Sequence, residues 1–399
     1  MKLKCLELSQ IFDSRGEPTI EAAVITEKDN RSSASVPSGR SRGRREAAVF
    51  GFAEAERSLE ETKDVLLGRD FDTVAELDNF LIQFDGTPDK SRLGGNFTLA
   101  VSVAVARALA DFYHLPLWQL LEKEFFNGQS KTAPLIFANL INGGAHAKNN
   151  LALQEYLVLV KTAGGMASSI EKLKQFYRGL GERLKEKTGL EENVPLGDEG
   201  GYSLDFSDNF EPLQILEGEV LKAGLEKEFS LGLDAAASSF FQDNHYSFGG
   251  KILSSDELLE VYVGYFSRAK LLTSIEDPFA EDDVTGFAKL QARFAGKLII
   301  GDDLTVTNAG LIGQCAQEKA ISGVIIKPNQ IGTITETGEA IKAAQEFGLK
   351  TIISHRSGET EDDFIIHLAK ASGAYGVKIG APVSERILKY NTLLSLFPG

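Results

Sequence analysis

The pattern of apolar and polar positions differs between the first and the later parts of the chain. Near the N-terminus, Ile20 to Ile25 has the apolar, β-branched composition of a strand, whereas Phe97 to Phe112 has the spacing of a helix rich in small residues. A turn-forming cluster follows at residues 126–130. The pattern therefore predicts an α+β domain over residues 1–127 and a second domain over residues 128–399.

From about residue 230 onward, a single pattern repeats along the chain. A short apolar run ends at a charged or polar residue and is followed by a loop and a helical stretch. After a longer first interval the run ends lie about 25 residues apart, which is close to the length of one strand-helix unit in a parallel barrel. The run ends are Asp234, Glu276, Asp302, Lys327, His355 and Lys378.

This repeat predicts an α/β fold class, in which an N-terminal α+β capping domain precedes an eight-fold, TIM-like α/β barrel. The predicted strands at 298–300 and 324–326 are continuously apolar, as expected for strands covered on both faces. Active sites of such barrels lie at the carboxyl ends of the strands. We therefore expect the six run ends to converge on one mouth, although any single one could instead begin a solvated loop.

Composition and charge narrow the possible partners. The chain has 399 residues and a formal net charge of −15 at pH 7, which argues against nucleic acid, because its binders need a concentrated positive surface. No window approaches the roughly 20 apolar residues that span a bilayer, and the N-terminus lacks a signal-like apolar segment. Cys5 and Cys315 have neither disulfide-framework nor zinc-site spacing. We expect a cytoplasmic protein without a membrane span.

Three of the run ends are carboxylates. Asp234, Glu276 and Asp302 form a hard oxygen set without histidine or cysteine, which suits Mg²⁺ or Mn²⁺. Pairing with a nearby cation or capping of a helix is the alternative for any one of them, but it would not explain the spacing of all three. A lysine that faces a dication has its ammonium form disfavoured, so Lys327 or Lys378 could act as a base toward a proton alpha to a metal-bound carboxylate.

Two further segments offer groups for catalysis and binding. Gly197 to Gly201 places Asp198 and Glu199 in a glycine-flanked loop that could approach a ligand and protonate a leaving group. A turn stabilised by its own aspartate is the alternative for this loop. The run Ser354 to Gly358 contains a guanidinium fork and hydroxyl groups, which fit a phosphate group.

Motifs along nearly the whole chain resemble those of the enolase family, in the order found in that family. The N-terminal motif is Asp13-Ser14-Arg15-Gly16-Glu17-Pro18-Thr19, and the histidine loop is Asn142-Gly143-Gly144-Ala145-His146-Ala147 with Leu153-Gln154-Glu155. The remaining motifs are Gly197 to Gly201, Ser274 to Asp283, Gly301 to Asn308, Lys327 to Thr333 and Ser354 to Asp362. The resemblance implies a magnesium-dependent hydro-lyase that interconverts 2-phosphoglycerate and phosphoenolpyruvate, on an enolase-type barrel.

The resemblance also implies a role for each matched residue. Lys327 would remove the C2 proton, while Glu199, assisted by Glu155, would protonate the departing C3 hydroxyl. Two Mg²⁺ ions are expected at each active site. The implied metal ligands are Asp234, Glu276 and Asp302 for the first ion and Ser41 for the second. The implied substrate-binding residues are Lys378 at the carboxylate, Arg356 and Ser357 at the phosphate, and His146 and His355 lining the site.

One loop departs from the family pattern. Enolases usually have Ser-Gly-Ala-Ser-Thr-Gly followed by an apolar residue and histidine, whereas this chain has arginine at four positions of the loop, Arg40, Arg42, Arg44 and Arg45. These charges could alter substrate affinity or binding of the second ion. Alternatively, they point to solvent or pair with acidic neighbours.

The C-terminus departs as well, and it affects the expected assembly. The resemblance implies a homodimer or higher homo-oligomer, but the segment 395–399 replaces the charged tail that contributes ion pairs to the enolase dimer. Two other functions stay open on the sequence alone: a superfamily enzyme that acts on an unphosphorylated acid, and a non-catalytic protein that keeps the fold. Arg356 and Ser357 argue against the first, and retention of every implied catalytic residue argues against the second.

Overall fold

The computed structural model describes residues 1–39, 43–128 and 132–398. Its N-terminal part contains a three-stranded antiparallel sheet and four helices. The strands, in sheet order, are β1 (Leu3–Phe12), β2 (Pro18–Thr26) and β3 (Arg31–Val36). The helices are α1 (Phe52–Leu66), α2 (Val74–Asp85), α3 (Gly95–Phe112) and α4 (Leu117–Leu121), and a π-helical turn (Glu122–Phe126) continues the last. The strand predicted at 20–25 and the helix predicted at 97–112 lie within β2 and α3.

The remainder of the described chain is built around a closed eight-stranded barrel, as the repeat predicted. Its strands are β4 (Leu135–Asn142), β5 (Glu155–Val160), β6 (Phe229–Asp234), β10 (Leu272–Glu276), β11 (Leu298–Gly301), β12 (Gly323–Ile326), β13 (Lys350–Ser354) and β14 (Gly376–Lys378). A small antiparallel sheet beside it contains β7 (Phe241–Gln242), β8 (His245–Phe248) and β9 (Lys251–Leu253).

Helices surround the barrel. They are α5 (Met166–Thr188), α6 (Glu211–Lys222), α7 (Ser255–Arg268), α8 (Val284–Arg293), α9 (Ala309–Gln317), α10 (Ile334–Glu346), α11 (Phe364–Ser372) and α12 (Ile387–Leu396). Short 3₁₀ turns occur at Gly144–His146, Ala237–Phe240, Pro328–Gln330 and Ser384–Arg386. Within the described ranges, no one helix has the length and apolarity needed to cross a membrane, and one bent pair, Gly95–Phe112 with Leu117–Phe126, meets that test by length and composition alone.

The barrel differs in one respect from the parallel barrel that the spacing predicted. Strand β5 runs antiparallel to both of its neighbours, β4 and β6, while the other neighbouring pairs are parallel. The connection from β4 to β5 contains only a 3₁₀ turn, and a parallel return would need a longer crossover. As a result, Glu155, the first residue of β5, lies at the mouth beside Asp234, the last residue of β6.

Alternating side chains of the strands form two buried layers. One set faces the helices, and the other forms a compact apolar cluster inside the barrel that contains Phe137, Leu157, Leu159, Ile300, Ile325 and Ile352. Layers of large apolar side chains fill the interior of such barrels. The barrel is therefore a packed core, and polar chemistry is confined to its mouth.

Several helix ends follow signals that the sequence contains. Ser254 and Glu257 form a reciprocal capping box at the start of α7, and Thr333 accepts a hydrogen bond from the Glu336 N–H at the start of α10. Gly189 has a φ of +68° and ends α5 in the left-handed conformation that favours glycine.

The division of the chain at residue 127 stays a prediction.

Polar contacts tie the N-terminal part to the barrel. The Arg107 guanidinium donates to both oxygens of Asp362, at 2.7 and 2.9 Å, and the buried Lys90 ammonium lies 2.8 Å from a Glu336 oxygen. The Ala47 N–H donates to the Gln330 carbonyl at 2.8 Å. The segment around residues 43–48 is therefore held across the mouth of the barrel.

Candidate active site

The six predicted run ends lie at one end of the barrel. Asp234, Glu276 and Lys378 are the last residues of β6, β10 and β14, and the other three immediately follow β11, β12 and β13. A single cavity at this mouth is lined by nine of the twelve predicted site residues. They are His146, Glu155, Glu199, Asp234, Lys327, His355, Arg356, Ser357 and Lys378.

Lys378 lies at the centre of a buried carboxylate cluster. Its Nζ is 2.8 and 2.9 Å from the two oxygens of Glu276, 3.1 Å from Asp234 and 3.1 Å from Glu155. Burial alone would lower the pKa of Lys378, but the surrounding carboxylates outweigh it and raise the pKa well above its usual value. Burial and the neighbouring Asp234 likewise raise the pKa of Glu276. The cluster thus contains more negative than positive groups.

Lys327 forms a short ion pair with Asp302. Gln330 also donates to Asp302, at 3.0 Å, and the Lys327 N–H donates to the Thr307 hydroxyl at 2.8 Å. Burial acts to lower the pKa of Lys327, but the Asp302 carboxylate outweighs it and raises the pKa. From the sequence, we expected a lowered pKa for a lysine that faces a dication. While Asp302 pairs directly with Lys327, the pKa of this lysine is instead raised.

A second group of buried side chains surrounds Glu199. The Asn139 amide donates to Glu199 at 3.1 Å, and ring nitrogens of His146 and His355 each lie 3.6 Å from its oxygens. Burial lowers the pKa of His355 to about 4, so its ring is neutral at pH 7. Burial and the Glu199 charge raise the pKa of Glu155 well above its usual range.

The loop that contains Glu199 is held by its backbone carbonyl groups. Those of Asp198, Glu199 and Gly200 accept hydrogen bonds from the Arg386 guanidinium (3.1 Å), the Ala381 N–H (3.1 Å) and the Tyr177 hydroxyl (2.6 Å) in turn. A Cβ at Gly197 or Gly201 would lie 2.6 or 2.4 Å from Asn142 atoms. The glycines therefore allow the loop to pack closely against Asn142.

Arg356 is buried beside the cavity. Its guanidinium donates to the two oxygens of Glu46 at 2.9 and 3.2 Å and to the Asn329 side chain at 3.1 Å. Ser357, the other predicted phosphate ligand, is also buried and lines the same cavity. The cavity lining thus includes three cationic side chains, Arg356, Lys327 and Lys378, each of which is paired with at least one carboxylate.

The three predicted metal ligands lie on adjacent strands, but each is bound to a lysine. Lys378 contacts Asp234 and Glu276, whereas Lys327 contacts Asp302. The described acidic groups that lie close enough together to hold an ion are instead His146 with Glu155 and Glu199, and Asp302 with Asp277 and Asp303. Asp277 accepts the N–H groups of Asp302 and Asp303 at 2.8 and 2.7 Å, so it stabilises the turn after β11.

The arginine-rich loop is described only in part. Arg40, Ser41 and Arg42 lie outside the described residues. Arg44 and Arg45 form ion pairs with acidic residues that follow β10, so for these two the alternative of pairing with acidic neighbours holds.

Several described residues that line the cavity or contact its residues were not predicted as site residues, and four of them show why. They are Glu46, Asn139, Gln154, which donates to Asp234 at 3.2 Å, and Arg386. A signal existed for Asn139, because it is a polar residue inside the otherwise apolar run Leu135 to Ile141. Glu46 lies in a stretch of charged residues, and Arg386 follows other polar residues before α12, so both have the sequence context of exposed residues.

Comparison with known proteins gives one consistent family. Residues 130–397 match the family model described as the enolase C-terminal TIM barrel domain, and residues 3–121 match the one described as the enolase N-terminal domain. Similar relatives include the enolase of Ehrlichia canis (strain Jake), with 41% identity over 96% of this chain and 93% of the relative. The enolase of Aeropyrum pernix has 40% identity over 97% and 92%, and that of Methanocaldococcus jannaschii 39% over 99% and 95%.

Proposed function

The chain belongs to the enolase family and catalyses the phosphopyruvate hydratase reaction, and we propose that Lys327 and Glu199 perform its two proton transfers. The reaction interconverts 2-phosphoglycerate and phosphoenolpyruvate by removal or addition of water. The observation that best supports this assignment is the convergence of a lysine, a buried carboxyl pair and a buried arginine on one cavity.

The described carboxylates fit a hard divalent cation. Asp234, Glu276 and Asp302 offer oxygen ligands only, and the raised pKa of Glu276 reflects its burial and the repulsion from Asp234, which a cation would relieve. A bound Mg²⁺ would compete with Lys327 for Asp302, lower the pKa of that lysine and stabilise negative charge that develops on the substrate carboxylate. Two ions are proposed, and Ser41, which lies outside the described residues, stays a proposed ligand of the second.

The protein's own groups divide the reaction between two sides of the cavity. Lys327, as the free amine, takes the C2 proton, and Lys378 binds the substrate carboxylate. On the opposite side, Glu155 and Glu199 form a buried carboxyl pair, and Glu199 delivers a proton to the departing C3 hydroxyl.

Other side chains bind and orient the substrate. Arg356 and Ser357 bind the phosphate group, for which the guanidinium offers several donors in a plane. His146 and His355, whose pKa values burial lowers, line the leaving-group side as neutral rings and exclude water. In this proposal the base and the acid act from opposite sides of the reacting carbons.

The wider setting is proposed on the same basis. A small phosphorylated acid is the substrate, and we propose a cytoplasmic location, since both described cysteines are free thiols. We also propose a homodimer or higher homo-oligomer. A monomer mass by light scattering at micromolar concentration would refute the oligomer.

The proposed base can be tested directly. The absorbance rise of the enol product is followed when the purified protein meets 2-phosphoglycerate, with Mg²⁺ and again with excess chelator. Lys327→Ala should lower the rate by at least about 10³-fold, because the base is lost. Lys251→Ala, which changes an exposed lysine in β9, is the matched control and should retain the wild-type rate.

Two results would contradict the proposal. A Lys327→Ala protein with a rate near that of the wild type would exclude Lys327 as the base. An activity that persists fully in excess chelator would exclude the proposed requirement for a divalent cation.

A further inference from the structure

Arg44 and Arg45 attach one edge of the mouth to the barrel. The Arg44 guanidinium binds both Glu281 and Asp282 through short contacts, while Arg45 donates to the Glu281 carbonyl at 2.9 Å and to Asp282 at 3.0 Å. These four residues are called the rim clasp below. It joins segments that are more than 230 residues apart in the sequence.

The rim clasp fixes the backbone as well as the side chains. The Glu281 carboxylate, which is only 4% exposed, also accepts the backbone N–H of Arg44 at 3.3 Å. The Glu281 N–H in turn donates to the Ser238 hydroxyl at 3.0 Å, which anchors Glu281 to the barrel. The position of the chain at residue 44 is therefore set by a buried acceptor.

This anchored segment leads directly to Glu46. A tight turn links them, because the Glu46 N–H donates to the Gly43 carbonyl at 3.2 Å and the Gly43 N–H donates to the Glu46 carboxylate at 3.0 Å. The same carboxylate accepts both hydrogen bonds from Arg356 described above. An unbroken series of contacts therefore runs from the exposed rim to the buried guanidinium.

We propose that Arg44 and Arg45 are positioning residues that fix Glu46 and, through it, the orientation of Arg356. This inference rests on the proposed role of Arg356 in binding the substrate phosphate. The two arginines act through geometry, because their charges are already matched by Glu281 and Asp282. They therefore influence substrate affinity without touching the substrate.

The test is a comparison of steady-state constants for 2-phosphoglycerate. The double variant Arg44→Ala/Arg45→Ala should raise KM about fivefold while kcat stays within twofold, because a misplaced Arg356 weakens binding of a phosphate that does not react. The matched control is Arg31→Ala/Arg92→Ala, which removes the same charge from two half-exposed, ion-paired arginines away from the mouth. It should leave both constants within twofold of the wild type.

Two further variants test the route of the effect. Glu281→Gln alone should also raise KM, and adding it to the double alanine variant should give little further change, because the contact between the Glu281 carboxylate and the Arg44 guanidinium is already absent there. Arg44→Lys/Arg45→Lys, which keeps the charges and some of the contacts, should recover most of the lost affinity.

The outcomes separate this inference from the proposed function. An active wild type whose KM is unchanged in the double alanine variant would overturn the inference alone. An equal rise of KM in the Arg31/Arg92 control would overturn it too, because long-range charge would then explain the effect. A wild type without activity toward 2-phosphoglycerate would instead overturn the proposed function.

Discussion

Two ionic clusters of the molecule are built from the same kinds of pair but differ in burial. Around Lys378, the lysine and the carboxylates of Glu155, Asp234 and Glu276 have side chains that are only 2–4% exposed. In the rim clasp, by contrast, only the acceptor Glu281 is buried, at 4% exposed, whereas Arg44 is 71% exposed, although the contacts are as short. Contact distance alone therefore does not determine how much an ion pair contributes to the free energy of unfolding.

Because the two clusters differ in burial, we expect them to have different roles in the protein. Removing one partner of a buried cluster leaves charges that neither water nor another group compensates, which is strongly destabilising. A pair whose cation is mostly exposed, such as Arg44 with Glu281 and Asp282, exchanges protein contacts for water at less cost, and salt screens it. The Lys378 cluster should therefore affect stability as well as catalysis, whereas the rim clasp should affect geometry at the mouth and contribute little to stability.

The largest expected effect comes from breaking the buried cluster. Lys378→Met leaves three buried carboxylates around an apolar side chain, so the free energy of unfolding without Mg²⁺ should fall by about 3 kcal/mol. Urea unfolding measures this change. Adding Mg²⁺ should restore part of the loss, because a cation held by Asp234 and Glu276 would replace the missing charge.

A surface substitution controls for the change of side chain. Lys251→Met, in the exposed hairpin, should leave the free energy of unfolding almost unchanged. If Lys378→Met were as stable as this control without Mg²⁺, the buried carboxylates would have to be neutral without the lysine, and the comparison between the two clusters would fail.

Among the described residues, Asp78 is a buried carboxyl group for which no ion pair is found, and it gives a third case for the comparison. Asp78, on α2, accepts the N–H and the hydroxyl of Thr335 at the start of α10, both at 2.8 Å. Burial raises the pKa of Asp78 from 3.8 to about 7. The folded protein thus binds a proton that the unfolded chain releases, so this contribution is complete below pH 3.8 and is lost as the pH rises through 7.

Because the Asp78 contribution is lost as the pH rises, the free energy of unfolding should depend on pH near neutrality. Between pH 6 and pH 8 the Asp78 contribution should fall by about 1.4 kcal/mol, and Asp78→Asn should abolish that part of the dependence. Urea unfolding of both proteins at the two pH values gives the change as a difference of differences. If the two proteins had the same pH dependence, the titration of Asp78 would not contribute to stability in this range, and the raised pKa of Asp78 would be contradicted.

The sequence predicted the barrel and the six run ends at its mouth because both depend on a regular repeat. Lys327 and Lys378 were predicted at the mouth because each ends a short apolar run, and side chains at the ends of parallel strands must converge. Glu155 could be placed only through its motif, since it begins a strand that runs antiparallel to its neighbours. The periodic pattern therefore predicted the site residues at the ends of the parallel strands, but it did not predict Glu155 on the antiparallel strand β5.

Contacts between distant segments could not be predicted in the same way. The partners of Arg44 lie 237 and 238 residues away, and Thr335, the partner of Asp78, lies 257 residues away, so no local pattern links them. A run of arginines has the same composition whether it faces solvent, substrate or Glu281. The direction of such side chains is set by the packing of loops at the mouth.

The smallest expected effect concerns the stability of the rim clasp. Arg44→Ala should lower the midpoint of thermal unfolding by less than about 2 °C at low salt, because the guanidinium is mostly exposed in the folded protein. In 0.5 M NaCl the difference from the wild type should vanish, since screening weakens the wild-type pairs. Thermal unfolding at both salt concentrations measures this. A large loss of stability that persists in high salt would show that the clasp contributes to stability as a buried cluster does, and the distinction drawn from exposure would be wrong.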